Sequence, residues 1–224
     1  MLDRHLFIES AGKAHENNII FYNEYRITVL KNRLIRIEKG KDSFLDFPTT
    51  SVLFRNLKEV DYKTEIIENG IFINTDEISF FIADIFEDSY AIINGNKVSF
   101  DNSENLLSTF SGLDGCDGDV NDHYAKPAKK LVLEYGVCSK NGVAVIDDSK
   151  SLYIDENGIL KTFEKERFDK YVFAYGHDYQ EALKAFYEIS GPVPLIPRYA
   201  LGNWWSRYYE YKDYEYLALI DKFI

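Results

Sequence analysis

The sequence predicts a mostly β protein: an antiparallel β-sandwich over residues 1–175, followed by a helix and a proline-rich connector over residues 176–197. Short runs of alternating apolar and polar residues recur along the first part of the chain, as they do in half-buried strands. With 224 residues, 46% of them hydrophobic and 16% aromatic, the chain can bury the core of one large all-β domain. Pairs that favour tight hairpin turns separate several of the runs: Asn69-Gly70, Asn94-Gly95, Asn141-Gly142 and Asn157-Gly158.

The first predicted hairpin covers residues 25–38, where an alternating run turns back on itself at Lys31 and Asn32. Successive side chains of a strand point to opposite faces of its sheet. The returning strand therefore has two different faces, Leu34, Arg36 and Glu38 against Ile35 and Ile37. We expect one of these two faces to be core.

A β-meander is predicted after this hairpin. Ile66 and Ile67 pair across Asn69-Gly70 with residues 71–73, and residues 78–85 continue the meander. Many short antiparallel strands at this spacing are typical of a sandwich. Further strands are predicted over residues 91–93, 97–100, 143–146, 151–154 and 170–174.

A helix is predicted over residues 179–190, with clear signals at both ends. Asp178 is placed to cap the first turn, and Glu181 completes a capping box three residues later. Gly191 and Pro192 end the helix. Its apolar face is expected to pack on the sandwich or on a following domain. That face carries Leu183, Phe186 and Ile189.

The last stretch, residues 198–224, is predicted to be a buried strand followed by a helix. Prolines at positions 192, 194 and 197 hold the approach extended. An apolar run over residues 199–205 indicates one buried strand, and residues 213–224 place apolar side chains at helical spacing. A strand followed by a helix suggests the first unit of a parallel β/α fold.

The segment PLIPRYALGNWWSRY, residues 194–208, resembles the start of the catalytic barrel in glycoside hydrolase family 31, the α-glucosidase and α-xylosidase family. The resemblance implies a galactose-mutarotase-like supersandwich followed by a (β/α)8 barrel. Such a barrel takes about 250 residues, so the sequence is expected to be a fragment with a truncated barrel. Segments similar to the family's sandwich are YRITVL from Tyr25, NRLIRIE from Asn32, FLDFPTT from Phe44, GVCSKNGVAVIDDS from Gly136 and FAYGHDY from Phe173.

The resemblance also implies a reaction. The parent enzyme would hydrolyse an α-linked oligosaccharide or glycoside with retention of configuration. In that mechanism one carboxylate attacks the anomeric carbon and another, about 5 Å away, protonates the leaving oxygen. The family supplies both aspartates from later barrel strands, so residues 1–224 are expected to contain no catalytic residue and to be inactive alone. No cofactor and no metal ion are implied.

Four residues are candidates for contact with the sugar. Tyr208 matches a position where the family has an aromatic side chain of the sugar pocket, and barrel active sites gather at the C-terminal ends of strands. One of Trp204 and Trp205 should face the barrel interior, and Trp205 is the candidate. The alternative is that these rings are simply core and rim aromatics. The family's sandwich lends a loop to the pocket, which makes Asp114 or Asp117 a partner for a sugar hydroxyl.

The loop over residues 114–122 has other interpretations. Its aspartates invite a calcium site, but it lacks the glutamate and the regular spacing of an EF-hand loop, and a solvated turn is the plainer interpretation. Asp147 and Asp148 are not a catalytic pair, because neighbouring residues of a strand point to opposite faces. The two cysteines, Cys116 and Cys138, form no CxxC motif and signal neither zinc nor redox chemistry.

The formal net charge of −11 argues against nucleic acid and anionic membranes as partners, whereas an uncharged sugar is compatible with it. No segment approaches the roughly 20 apolar residues of a membrane span, and a cytoplasmic location is expected. Without a barrel, the apolar side chains of residues 198–224 must repack on the sandwich, be buried in a second copy or remain disordered, so a homo-oligomer is one of the open alternatives. The alternatives to the enzyme are a stand-alone noncatalytic carbohydrate-binding or scaffolding β-sandwich and a calcium-dependent lectin.

Overall fold

The structure of the protein is a computed structural model that describes residues 8–40, 44, 46–100, 110–111, 131–132, 136–193, 195–202, 204 and 207–223. The chain divides into two compact units, Met1–Pro192 and Val193–Ile224. The first unit contains all the described strands and one helix, and the second contains one helix.

Every pair of strands among the described residues is antiparallel, which confirms the predicted fold class. The helices are α1 (Tyr179–Ser190) and α2 (Asp213–Asp221). The strands are β1 (Ile19–Tyr22), β2 (Tyr25–Lys31), β3 (Leu34–Lys39), β4 (Tyr62–Ile67), β5 (Gly70–Thr75), β6 (Ser79–Ala83), β7 (Tyr90–Ile93), β8 (Asn96–Ser99), β9 (Phe110–Ser111), β10 (Leu131–Val132), β11 (Ala144–Asp147), β12 (Tyr153–Ile154), β13 (Leu160–Lys161) and β14 (Phe168–Phe173).

The first large sheet has five strands in the order β1-β2-β3-β14-β11. The predicted hairpin is confirmed as β2 and β3, but its turn lies at Asn32 and Arg33, one residue later than expected. The register shifts between Val29 and Lys31, so that Lys31 pairs with Leu34. This irregularity extends β2 by one residue and moves the turn. β14 comes from the far end of the unit and inserts between β3 and β11.

The second large sheet is the predicted meander, with five strands in the order β4-β5-β6-β7-β8. Ile66 pairs with Ile71, and the turn between β4 and β5 lies one residue earlier than the Asn69-Gly70 pair. Between β7 and β8, Asn94 and Gly95 have φ angles of 51° and 80°. Both values lie in the left-handed region that Asn-Gly turns favour, as the sequence predicts.

Two short ladders complete the described strands, β9 with β10 and β12 with β13. The second ladder closes around the predicted turn at Asn157-Gly158, where Gly158 has a φ of 73°. Neither β1 nor β13 is predicted by the sequence. Both are short and carry no clean alternation of apolar and polar residues, which is the signal that reveals a strand.

One buried cluster takes side chains from both large sheets, which makes the sheets the two layers of a sandwich. The hydroxyls of Tyr22 and Tyr25 join the layers, because both donate to Asp84, at 2.9 Å to Oδ1 and 3.2 Å to the backbone oxygen. The inward side chains include Ile27, Val29, Ile35, Ile37 and Val172 from the first sheet and Ile71, Ile73, Phe80, Ile82 and Ala91 from the second.

The opposite face of the first sheet is buried as well, so both faces of the β2–β3 hairpin are buried where the sequence leads us to expect one core face. A second cluster covers it, formed by Leu34, Tyr171 and Phe173 of the sheet with residues of α1 and of the connecting segments. This face is hidden because α1 packs across it.

Helix α1 has the predicted bounds and end residues, but Glu181 does not complete the capping box, because the Asp178 backbone nitrogen donates to the Tyr175 oxygen and the Glu181 side chain accepts from Lys184. The Asp178 side chain accepts from the Glu181 backbone nitrogen at the first turn, and Gly191, with a φ of 93°, follows the last residue. The predicted face is only partly right, because Leu183 is 40% exposed. The buried side chains are Ala182, Ala185 and Ile189, with Phe186 half-buried beside them. Small alanines let the helix lie close to the sheet.

Candidate functional site

Of the four predicted sugar contacts, the structure describes only Tyr208. Asp114, Asp117 and Trp205 lie outside the described residues, and so does the loop over residues 114–122. Tyr208 is 95% exposed and belongs to the second unit. Whether the four candidates lie together is therefore not tested, and their roles stay predictions.

The buried strand predicted over residues 199–205 is not found among the described residues of this segment. Arg198–Leu201 forms a 3-10 turn instead, closed by bonds from Ala200 N to the Pro197 oxygen and from Gly202 N to the Tyr199 oxygen. The prediction is wrong because an isolated strand leaves its backbone groups unpaired, whereas a local turn pairs them. The helix predicted from Asp213 is confirmed as α2, which ends at Asp221.

The described part of the second unit exposes most of its large apolar side chains. Leu195 is 98% exposed, Tyr199 77%, Trp204 72% and Leu201 71%. The indole nitrogen of Trp204 donates to the Ala200 oxygen at 2.9 Å, which fixes the ring on the 3-10 turn without burying it. Several large apolar side chains exposed in one short segment are typical of segments that contact another protein surface.

Aromatic rings cluster after Tyr208. The guanidinium of Arg207 lies 4.7 Å from the ring centroid of Tyr209, whose ring lies 4.7 Å from that of Tyr211. The ring of Tyr216, on α2, lies 6.0 Å from Tyr211. Flat aromatic faces beside a cation can pack on a sugar ring and hydrogen-bond its hydroxyls. These residues follow Tyr208 in the chain and form an aromatic group of their own.

The first unit holds a second chemically distinctive feature, a cluster of charged side chains buried on the outer face of the first sheet. It contains four arginines and three carboxylates: Arg26, Arg36, Arg55, Arg167, Glu38, Asp148 and Asp169. We call this set the buried charge cluster. The sequence analysis missed it, although charged residues at alternate strand positions were a signal, as in Arg36-x-Glu38 and Arg167-x-Asp169.

Two bidentate pairs hold the centre of the cluster. Arg36 binds both oxygens of Asp169, with Nε at 2.8 Å and Nη2 at 2.7 Å. Arg26 binds both oxygens of Glu38, at 2.6 Å and 3.0 Å. Nη2 of Arg36 also lies 3.0 Å from Glu38, which links the two pairs. Bidentate geometry is the strongest form of this contact and fixes β2, β3 and β14 side by side.

Arg55 extends the cluster to the segment that precedes the second sheet. Its Nε donates to the Tyr171 hydroxyl at 2.5 Å, and its Nη1 donates to the backbone oxygens of Gly12 and Phe47 at 3.1 Å and 2.8 Å. Asp148 lies beside it, and Oδ2 of Asp148 accepts from the Thr49 hydroxyl at 2.8 Å. One arginine thus joins the N-terminal segment to β14.

The pKa values of the cluster's carboxyl groups are shifted in opposite directions. Burial raises the pKa of Asp148, and the negative charge of Asp169 raises it further. Hydrogen bonds from Ser151 and Thr49 act in the opposite direction and lower it. Burial also raises the pKa of Glu38, although Arg36 and Arg26 oppose it. The pKa of Asp169 is lowered, because the attraction of Arg36 and the other guanidinium groups outweighs its burial.

Replacement of Asp148 by asparagine should remove the part of the pH dependence of stability that this carboxyl contributes. A carboxyl whose pKa is raised by folding stabilises the protein below its unfolded pKa and loses that contribution as pH rises through its folded pKa. Relative to wild type, the Asp148→Asn variant should therefore gain stability from pH 4 to pH 8. Urea unfolding at each pH measures this, and a constant or falling difference would contradict the prediction.

The remaining candidates are structural or surface groups. Asp147 is exposed at the end of β11 and Asp148 is fully buried, as expected for neighbours on opposite faces. No group of three or more histidine, cysteine or acidic residues in the described part of the chain could hold a metal ion. No helix of that part is long and apolar enough to cross a membrane.

Comparison with known proteins gives a partial likeness. No protein-family model matches the chain, and no curated protein matches it. Two solved structures of a glycoside hydrolase family 31 dextranase from Flavobacterium johnsoniae are similar to it, one a mutant complexed with isomaltotriose and the other complexed with glucose. The identities are 13% and 14%, the TM-scores are 0.45 and 0.46, and each match covers 80% of this chain. The chain spans 27% of the length of each dextranase chain.

Proposed function

We propose that the chain is the N-terminal part of a retaining α-glycosidase. In this proposal the sandwich supports a catalytic barrel, and the second unit is the start of that barrel. Tyr208 contributes an aromatic face to the sugar pocket, with Trp205 near it and Asp114 or Asp117 reaching the sugar from a loop of the sandwich. Both catalytic aspartates come from later barrel strands, so the 224 residues alone carry no hydrolytic activity.

The observation that carries the proposal is the exposure of large apolar side chains among the described residues of the second unit. A segment in which Leu195, Tyr199, Leu201 and Trp204 are all largely exposed needs a surface to cover it. The same segment resembles the start of a catalytic barrel, where such side chains would pack against neighbouring strands and helices. One explanation thus accounts for both its sequence and its exposed surface.

A stand-alone noncatalytic carbohydrate-binding or scaffolding sandwich is the second candidate. It is favoured by the self-contained first unit, whose two buried clusters close without the second unit. This candidate gives no role to the apolar side chains of residues 193–223, which is why the enzyme is preferred.

Removal of residues 193–224 should reduce self-association of the chain. The exposed apolar side chains of this segment can be buried in a second copy, whereas the first unit keeps its own core. Light scattering should show a larger average mass for the 224-residue chain than for residues 1–192. Both proteins should unfold in urea with the same midpoint.

A matched double variant tests whether the exposed side chains cause the association, because it removes no residue from the chain. Leu195→Lys with Leu201→Lys adds charge at two of the most exposed apolar positions of the segment and should lower the average mass of the 224-residue chain. Identical monomers with and without residues 193–224 would contradict the proposed contact surface. A large loss of stability in residues 1–192 would contradict the division into two units.

A further inference from the structure

Strand β4 lies at an edge of the second large sheet and is exposed along most of its length. Among the described strands, only β5 pairs with it. Every residue over positions 63–67 is exposed, and the side chain of Ile66 is 70% exposed. An exposed edge presents a row of N–H and C=O groups that no strand pairs, and such a row is a template for pairing with another strand.

The pairing of β5 shows which backbone groups of β4 point outward. In an antiparallel ladder, alternate residues of a strand bond to opposite neighbours. The Thr75 nitrogen donates to the Ile78 oxygen, so the odd-numbered residues of β5 bond toward β6 and the even-numbered ones toward β4. The partners of those even-numbered residues on β4 are Lys63, Glu65 and Ile67. The outward N–H and C=O groups therefore belong to Tyr62, Thr64 and Ile66.

These outward groups and the charges of β4 together favour one pairing with a second copy. Two identical strands pair antiparallel about a two-fold axis, and a residue on that axis faces itself. An axis at Thr64 brings Lys63 of each copy opposite Glu65 of the other and Tyr62 opposite Ile66. An axis at Lys63 or Glu65 would instead place two like charges face to face. An axis at either end of the strand would pair only half of it.

We propose that β4 is a dimerisation edge and that its partner is β4 of a second copy of this chain, with Thr64 opposite Thr64. All the outward backbone groups of the strand are then bonded, and the two meanders form one continuous sheet. Lys63 and Glu65 form two cross-strand ion pairs on the outer face, because their side chains alternate with those directed toward the core. On the other face, Ile66 packs against Tyr62 of the second copy.

The contact is small, so the dimer is expected to be weak. Two paired strands of six residues bury less than the roughly 1,200 Å² of a standard stable interface. Backbone pairing accepts many sequences, and the charges of Lys63 and Glu65 supply the preference for a second copy. The dimer is independent of the proposed glycosidase activity. It is also independent of the exposed apolar side chains of residues 193–223, which belong to the other unit.

Exchange of the two charges tests the pairing by sedimentation equilibrium. The parent is the 224-residue chain with Leu195→Lys and Leu201→Lys, which removes association through the second unit. It is measured at about 0.15 M salt, where repulsion between the net charges of −11 is screened beyond about 8 Å. We expect a dimer as the concentration is raised to about 1 mM. Lys63→Glu and Glu65→Lys should each weaken it by about tenfold or more, because each makes both ion pairs repulsive.

Two restorations and one control make the test specific for this register. The double variant Lys63→Glu with Glu65→Lys should recover the dimer. An equimolar mixture of the two single variants should recover it as well, because a mixed dimer pairs the glutamates of one chain with the lysines of the other. Lys97→Glu makes the same change of charge on β8, at the opposite edge of the sheet, and should leave dimerisation unchanged.

Four results would overturn the proposal. They are a parent that stays monomeric, single variants that associate as tightly as the parent, a mixture that does not recover the dimer, and a Lys97→Glu variant that is as disruptive as Lys63→Glu. All these positions are exposed, so every variant should keep the unfolding midpoint of the parent. The loss of association is thereby separated from a loss of fold.

Amide hydrogen exchange provides a second measurement of the register. In the monomer the Thr64 N–H points to water, whereas the Glu65 N–H is bonded to β5. Raising the concentration through the dimerisation range should slow exchange at Thr64 and leave Glu65 almost unchanged. Dimer formation without slower exchange at Thr64 would assign the association to another surface.

Discussion

Replacement of Asp169 by alanine is expected to lower the free energy of unfolding by about 3–5 kcal/mol, because it leaves buried guanidinium charge unpaired. Asp169 is fully buried and binds Arg36 through both oxygens, and Arg167 is a further partner. Without it, Arg36 loses both of these bonds and keeps its contact with Glu38 on β3. Urea unfolding at pH 7 measures the loss.

A matched control comes from an exposed ion pair of the same unit. Lys184 pairs with Glu181 on the surface of α1, where both side chains are about half exposed or more, so Lys184→Ala should leave the unfolding midpoint almost unchanged. If Asp169→Ala unfolded with a midpoint as close to wild type as that of Lys184→Ala, the buried charge cluster would not stabilise the first sheet.

The pH dependence of the Asp169 effect has a defined sign. The pKa of Asp169 is lowered from its unfolded value of 3.8, so its contribution is fully present above that value and is lost as pH falls through the folded pKa. The difference between wild type and Asp169→Ala should therefore shrink below about pH 4. The opposite sign is expected for Asp148, whose pKa is raised.

Replacement of Tyr208 by alanine in the complete enzyme is expected to lower kcat/KM for an aryl α-glycoside by about tenfold or more, equivalent to about 1.4 kcal/mol of transition-state stabilisation. In the proposed function its ring packs on the sugar and excludes water. Because the side chain is 95% exposed in the second unit, its removal should change the stability of the chain little.

Tyr214→Ala is the matched control for Tyr208→Ala. Tyr214 is an exposed tyrosine on α2, six residues further along the chain, and it has no predicted contact with the sugar. Its removal should leave kcat/KM within about threefold of wild type. Equal activities for wild type and Tyr208→Ala would show that Tyr208 does not line the pocket.

Much of the sandwich follows from local sequence patterns. The β2–β3 hairpin and the meander combine alternating residues with Asn and Gly at the turns, and the structure contains both. Such hairpins depend on contacts between residues that are close in the chain, so a short window of sequence is enough to predict them. Helix α1 is equally local, since Asp178 and Gly191 mark its ends.

The buried charge cluster could not be predicted in this way. Arg36 and Glu38 look like the solvent face of a strand, but Arg36 pairs with Asp169 on the distant strand β14, and Arg26, the partner of Glu38, also pairs with Asp46. Periodicity shows which residues share a face, but it does not show whether that face is covered. Tertiary contacts decide that question.

The strand expected over residues 199–205 failed for a different reason. A short apolar run fits a buried strand, but a strand needs partners to satisfy its backbone, and the described residues provide none for this segment. The pattern was therefore compatible with a strand without requiring one. The predicted sugar contacts Tyr208 and Trp205 depend on partner strands in the same way, because their placement assumes neighbouring strands of a barrel.

Hydrolysis of aryl α-glucosides and α-xylosides by the product of the complete reading frame, beside the 224-residue chain, tests the proposed function most directly. We expect the complete protein to release the aryl group with retention of the anomeric configuration and the 224-residue chain to release none. Turnover by the 224-residue chain alone, or a folded complete protein that is inert toward these substrates, would contradict the assignment of this sandwich to a retaining α-glycosidase.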